Sequence, residues 1–432
     1  MDFIGNHTSI EHPWFIESKS SRNNLKRDWY VWKDGGKNNE TPNNWLSVFG
    51  GSAWTLDKKT NQYYLHNFLS TQPDLNWRNK KVRNEMIKIM EFWLKRGING
   101  FRIDALHYFM EDELYRDDVQ NLDYTSGEDP YKNLLHIHSK GYSHIKKSLE
   151  IFKKMLKKHK DIFMASEAYT SVQNLVEMYK VINNKRYCPF NFSLISLDWK
   201  TSQCKNLIDT FNESLGQNFT PNYVISNHDV PRIISQIGKE KARLVAFLLF
   251  TLRGIPFIYY GDEIGMENVK ISQEQTQDGA KLNKMSYKIN RDEERTPMQW
   301  NEEKNAGFSK TKPWLPVSKN YKTINVFGEN KDKHSFLSLY KKLIHTRNKS
   351  NTLKKGSYIP LPIQSEEIFS FLREYQNQKF LITINFSDKK VEATFPYSQG
   401  KILLNSILDK KEEKKNLDRL ILEPFEGYIF EL

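Results

Sequence analysis

The chain has 432 residues, 38% hydrophobic and 13% aromatic, and 65 Lys and Arg against 52 Asp and Glu give a net charge of +13. That length and composition exclude both a disordered chain and a single small domain. The basic excess is spread in short runs such as Lys410-Lys411 and Lys414-Lys415, with no basic arm or nucleic-acid motif, so it reads as a solvated surface and not as a nucleic-acid interface.

The N-terminus, Met1-Asp2-Phe3-Ile4, opens in strand-like sequence and lacks the pattern of a signal peptide. A strand is predicted over residues 1–6, stopping at Asn6-His7. Residues 8–78 show no helical period and are rich in Trp, Asn, Gly and Pro. They read as an irregular, aromatic-rich lobe. Its aromatics serve either as a substrate-facing flap, stacking on ligand faces, or as the core of a small domain. From 79 to 96, Val82, Met86, Ile89, Met90, Trp93 and Leu94 fall at helical spacing and Gly97 stops the helix.

A buried strand follows over Ile98–Ile103 and ends abruptly in Asp104. A helix over 148–159, with Leu149, Phe152 and Leu156 on one face, precedes a strand over Ile162–Ala165 that ends in Ser166-Glu167. Tyr223–Ser226 is a strand ending in Asn227-His228-Asp229. A helix over 241–252 leads to the strand Ile255–Tyr260, which ends in Gly261-Asp262-Glu263. A further helix spans 335–346 and buries Phe336, Leu339 and Leu343. Short alternating runs at 368–372, 380–384 and 427–430 read as strands of an antiparallel sandwich.

No run of about 18 apolar residues is present to span a membrane. Cys188 and Cys204 are the only cysteines, and spacing leaves open one disulfide or two free thiols. Asn6, Asn39, Asn191, Asn212, Asn218, Asn348 and Asn385 stand in glycosylation sequons, which permit a secreted protein without proving one.

The alternation of strand and helix points to an α/β fold. Each buried strand carries a charged or imidazole group at its C-terminal end, where parallel barrels gather their active sites. The residues so collected are His7, Arg102, Asp104, Glu167, His228 and Asp229. Arg102 and Asp104 are two apart on a strand and share a face. The opposite charge favours an ionised carboxylate, and such a group is a candidate nucleophile; a structural ion pair is the competing reading. No metal motif, Ser-centred elbow, phosphate loop or dinucleotide fingerprint is present, and no metal or cofactor is expected. What remains is carboxylate chemistry, the machinery of glycoside hydrolysis.

Four short motifs appear in order: Asp2-Phe3-Ile4-Gly5-Asn6-His7, Gly100-Phe101-Arg102-Ile103-Asp104, Ser166-Glu167-Ala168 and Ser226-Asn227-His228-Asp229. Gln72-Pro73-Asp74-Leu75-Asn76, Arg291-Asp292-Glu293-Glu294-Arg295-Thr296-Pro297-Met298-Gln299-Trp300 and Asn305-Ala306-Gly307-Phe308 extend the set. With these the chain resembles the α-glucosidase branch of the α-amylase superfamily, most of all insect maltases and sucrases. The resemblance implies a (β/α)8 barrel over residues 1–7 and 79–350, a lobe over 8–78 inserted after the third strand, and a C-terminal β-sandwich over 355–432. It also implies that the first two barrel strands are absent and that this shortened chain folds poorly. Gly5 departs from the family, which has an apolar residue or Pro there.

By the same resemblance Asp104 is the nucleophile, Glu167 the general acid and base, and Asp229 the stabiliser of the transition state. His7, Arg102, His228 and Arg291 bind the sugar, with Arg291 preferred to Arg295. Ala105, where α-1,6-cleaving relatives carry Val, suggests maltose and sucrose over isomaltose. The expected activity is retaining hydrolysis of terminal α-linked glucose by a protein whose full-length parent is extracellular. A transglucosylating enzyme, an inactive truncated product and a non-catalytic relative are the alternatives.

Overall fold

The structure is a computed structural model and describes residues 1–141, 144–195, 197–282, 290–362, 365–409 and 413–432. The run Lys410-Lys411 lies outside the described residues. The chain divides into two compact units, one of residues 1–190 and 277–290, the other of residues 191–276 and 291–432.

The first unit is built on a parallel sheet of four strands, Asp2–Phe3, Gly100–Ile103, Phe163–Ser166 and Tyr187–Pro189, in that spatial order. Helices Lys80–Leu94, Ile145–Lys158 and Val172–Ile182 come between them in sequence. Lys80–Leu94 starts where Asn79 Oδ1 accepts the Lys81 N–H at 2.9 Å, a side-chain N-cap. It buries Val82, Met86 and Met90, spaced four apart. Ile89, expected on that face, turns outward. Ile145–Lys158 buries Leu149, Phe152 and Leu156 as expected, and begins three residues earlier than the apolar pattern suggests. The sequence reading does not anticipate the strand Tyr187–Pro189, which is too short to show a period.

Residues 8–78 are more regular than expected. A helix, Pro13–Ser18, is capped by His12 Nδ1 accepting the Trp14 N–H at 3.2 Å. The strands Trp32–Lys33, Trp54–Asp57 and Gln62–Leu65 form an antiparallel sheet. Alternation is hidden here because aromatics occupy both faces. Trp45, Trp54 and Tyr63 make a core of their own, while Trp29, Tyr30, Tyr64 and Leu75 join the core of the parallel sheet. Of the two readings of the lobe's aromatics, the core reading holds for these.

Gly5, the departure from the family pattern, has a steric cause. A Cβ there would lie 2.6 Å from the Phe109 ring and 2.8 Å from that of Phe3. Phe109 is itself stacked on Trp77, centroids 4.2 Å apart, and Trp77 Nε1 donates to the Gly5 carbonyl at 2.7 Å. The aromatics fill the space that a side chain at position 5 would need.

In the second unit the strands Asn222–Val224 and Ile255–Phe257 pair in parallel, with helix Lys239–Thr251 between them in sequence. The second of these strands is shorter than predicted. Helix Phe336–Lys349 buries Phe336, Leu339 and Leu343 as expected. From Ser357 onward a six-stranded antiparallel sheet and the pair Val391–Ala393 and Leu420–Leu422 share one apolar core. Neither Cys188 nor Cys204 is in a disulfide, and both are buried. Asn6, Asn191, Asn212 and Asn385 are buried, so these sequons cannot carry a glycan on the folded chain; Asn218 and Asn348 are exposed.

One consequence is measurable. Gly5→Ala forces a methyl group against two ring systems that are themselves packed, and overpacking of this kind costs about 1–3 kcal/mol. Urea unfolding should show a lower midpoint with an unchanged slope.

Candidate active site

Register builds the first cluster. In the parallel ladder Arg102 lies opposite Asp2 and Ala165, and Ile103 opposite Phe3 and Ser166. The next rung continues in the backbone: Asp104 N–H donates to Phe3 O at 3.1 Å and Glu167 N–H to Ile103 O at 2.8 Å. Asp104 and Glu167 therefore stand side by side at the C-terminal ends of neighbouring strands, about 4.8 Å apart in backbone spacing. Gly100 allows the strands to close, because a Cβ there would fall 1.9 Å from Phe163 O.

Arg102 holds both carboxylates at once. Its Nη1 donates to Asp104 Oδ1 and to Asp2 Oδ1, the latter at 3.2 Å, and its Nη2 donates to Glu167 Oε2. Burial alone would lower the Arg102 pKa; Glu167, Asp104 and Asp2 outweigh it and raise it. This is the salt bridge foreseen between Arg102 and Asp104, with Glu167 as a further partner that spacing could not reveal.

Asn6 and His7 are held by a clasp the sequence reading missed. Asp74 is fully buried and accepts from Asn6 Nδ2 at 3.0 Å and from the Asn67 N–H at 3.2 Å. Leu75 N–H donates to Asn6 O at 2.8 Å, and His7 Nε2 lies 3.0 Å from Gln72 Nε2. The partners are too far apart in sequence for any spacing to show. Burial lowers the His7 pKa, with the Asp104 charge opposing it. His107 is buried in the turn after Ala105, and burial together with Lys140 holds its pKa well below the usual value. Ala105 itself sits at φ 46°, ψ 37°, a left-handed conformation few residues other than Gly, Asn and Asp adopt.

The second cluster lies in the second unit. Past the strand Asn222–Val224, Asn227 Oδ1 accepts the Asp229 N–H at 2.8 Å and fixes the turn. Asp229 Oδ1 then accepts from Arg291 Nη1 at 2.7 Å and Arg295 Nη2 at 3.0 Å. Arg295 Nε also donates to His228 O at 2.7 Å, and His228 Nε2 lies 3.3 Å from Asp229 Oδ2. Asp229 thus pairs with both Arg291 and Arg295. Burial would raise the Asp229 pKa, but His228, Arg291 and Arg295 together lower it. Behind it Ser226 Oγ donates to Asp262, whose carboxyl is pushed up to about 7, mainly by burial.

Among the described residues no three His, Cys, Asp or Glu side chains group so as to hold a metal ion, and no helix is long and apolar enough to cross a membrane. Chemically, one cluster offers two carboxylates on a shared cation and the other a carboxylate fixed by two arginines. A model of the alpha-amylase catalytic domain matches residues 1–356.

The chain belongs to the alpha-amylase family. It is 33% identical over 473 residues to an oligo-1,6-glucosidase of Bacillus cereus, covering 100% of this chain and 83% of that protein. It is 37% identical over 412 residues to an alpha-glucosidase of Apis mellifera, covering 90% of this chain and 70% of that protein. Among solved structures, an alpha-glucosyl transfer enzyme, XgtA, superposes with a TM-score of 0.92 at 30% identity, covering 100% of this chain and 82% of that one. The fold is that of this family, a TIM barrel with a C-terminal β domain.

The Asp229 pairing sets a pH dependence. An aspartate in the unfolded chain titrates near 3.9, and the folded value lies below it. The stability contributed is fully present above about pH 4 and is lost as pH falls through the folded value. Asp229→Asn should therefore be less stable than the wild type at pH 6, with the gap narrowing by pH 3. Denaturant unfolding at the two pH values checks this.

Proposed function

We propose that this member of the alpha-amylase family is a retaining α-glucosidase that removes terminal α-linked glucose from maltose, sucrose or short oligosaccharides. The observation that carries the reading is the single guanidinium of Arg102 shared by Asp104 and Glu167 at the ends of neighbouring strands. Retaining enzymes need two carboxyl groups about 5–5.5 Å apart, one as nucleophile and one as acid and base. Two carboxyls that reach one planar cation meet that need better than the wider spacing of inverting enzymes.

Asp104 attacks the anomeric carbon, and the bond to the leaving oxygen breaks as Glu167 delivers a proton to it. Water then enters, Glu167 takes its proton, and the glucosyl–Asp104 ester is released as α-glucose. Asp229, held ionised by two arginines, receives the sugar hydroxyls and stabilises positive charge in the transition state. His7, Arg102, His228 and Arg291 are the sugar-binding residues of this reading. In this reading residues 1–7 and 79–350 are the catalytic domain, with 8–78 as the inserted lobe and 355–432 as the β-sandwich. An extracellular setting fits the exposed sequons at Asn218 and Asn348. Transfer of glucose to a second sugar is the competing outcome, favoured by the likeness to the transfer enzyme XgtA.

Two experiments test the reaction. Proton NMR of 4-nitrophenyl α-glucoside hydrolysis, whose leaving group is not a sugar, should show α-glucose first; β-glucose first contradicts Asp104 as nucleophile. Glu167→Gln should lose about 10²–10⁴-fold on maltose and much less on an aryl glucoside whose leaving group needs no proton. Equal losses on the two substrates count against Glu167 as the acid.

Ala105 generates a specificity test. A methyl group or two in a pocket is worth about 1–3 kcal/mol, so Ala105→Val should move the isomaltose-to-maltose ratio of kcat/KM upward. The left-handed backbone at this position resists a β-branched side chain, at a cost of about 1–3 kcal/mol. The variant should therefore also melt lower. An unchanged ratio removes Ala105 from the specificity argument.

A further inference from the structure

Arg232 stands three residues past Asp229, and its side chain has 0% exposure. A guanidinium stays charged in a protein, so burying one is costly unless its donors are matched. Among the described residues no carboxylate pairs with it. Its fork goes to two backbone carbonyls instead: Nη1 donates to Tyr260 O and Nη2 to Glu294 O, the latter at 2.7 Å. The cation lies 5.0 Å from the Tyr259 ring centroid and 4.7 Å from that of Tyr260, which offsets part of its charge.

The neighbourhood is arranged to receive this fork. Gly261 has φ 89°, and a Cβ there would sit 2.7 Å from Arg232 Nη1. Asn268 Oδ1 accepts the Arg232 N–H at 2.8 Å, while Asn268 Nδ2 donates to Glu294 Oε2 at 3.3 Å. Tyr259 Oη donates to the same Glu294 carbonyl at 3.2 Å, and Tyr260 Oη to Thr296 O at 2.7 Å. Four of these bonds end on the short segment 291–296. The residue after Glu294 is Arg295, whose guanidinium holds Asp229 and the His228 carbonyl. A closed ring results: Asp229, two residues of chain, Arg232, Glu294, Arg295 and back to Asp229.

We propose that Arg232 is a positioning residue for turnover: through the Glu294 carbonyl it sets where Arg295 stands, and through Arg295 the orientation of Asp229. The proposal rests on the reading of Asp229 as a sugar-binding carboxylate. Arg232 touches no substrate itself, because it is enclosed. Lysine cannot replace it, since one ammonium cannot reach two carbonyls in the planar geometry of the fork. A purely structural staple would affect stability alone.

The test is a double-mutant cycle. Arg232→Lys and Tyr259→Phe are each placed in the wild-type and Arg295→Ala backgrounds. The readouts are kcat/KM on 4-nitrophenyl α-glucoside, calorimetric Kd for 1-deoxynojirimycin, a cationic glucose analogue, and the thermal midpoint. A displacement of about 1 Å can cost about 10²-fold in rate, so Arg232→Lys should lose that much kcat/KM in the wild-type background and less than about 3-fold once Arg295 is gone. Analogue binding should follow the same pattern, while the thermal midpoint falls equally in both backgrounds. Tyr259→Phe removes only one hydroxyl and keeps the fold; it should lose about 3-fold in the wild type and nothing in Arg295→Ala. It decides the matter alone if Arg232→Lys does not fold. Equal losses in both backgrounds overturn the proposal. A wild-type protein that binds the analogue without turnover refutes the glucosidase reading, while the binding cycle still decides Arg232.

Discussion

The fork of Arg102 is the constraint on which the first cluster depends. Two carboxylates placed on adjacent strands of a parallel ladder stand close enough to repel each other. One guanidinium with donors in a fixed plane lets both remain, each accepting from a different nitrogen. Removing the cation would leave Asp104 and Glu167 facing each other with burial as a further penalty. The approach of the strands requires Gly100, and the rung that aligns the carboxylates follows from the backbone bonds of Asp104 and Glu167.

The second cluster inverts the ratio. There one carboxylate, Asp229, sits under two guanidiniums. With Asp2 counted, the Arg102 cluster carries more negative than positive charge, whereas the Asp229 cluster carries more positive. The first suits a group that must give and take a proton beside a developing sugar cation. The second suits a carboxylate that must stay ionised and still. In each, pairing fixes the side chain that the proposed chemistry uses, so the reacting groups need little reorganisation.

Much of this was legible in the sequence because the strand ends announce themselves. Asp104, Glu167 and Asp229 each close a short apolar run, and the motifs around them name the family. The helix faces at Lys80–Leu94, Ile145–Lys158 and Phe336–Lys349 followed from spacing. What the sequence hid were relations between distant residues. Asp74 clasps Asn6 from 68 positions away, and Arg232 reaches Glu294 from 62. Neither has a local period, and buried polar groups leave none. The regular structure of residues 8–78 was obscured by aromatics on both faces of short strands. Tyr187–Pro189 gave too few residues to alternate at all.

The central claim is that Asp104, held by Arg102 beside Glu167, forms a covalent bond to the sugar. Trapping that bond tests it most directly. The protein is incubated with 5-fluoro-α-glucosyl fluoride, which forms the glycosyl–enzyme faster than water removes it, then digested and sequenced by mass spectrometry. The account predicts one added fluoroglucosyl group, on the peptide that contains Asp104 and on that carboxylate. A label on Glu167 or Asp229, or rapid hydrolysis of α-glucosyl fluoride with no labelled peptide, would contradict it.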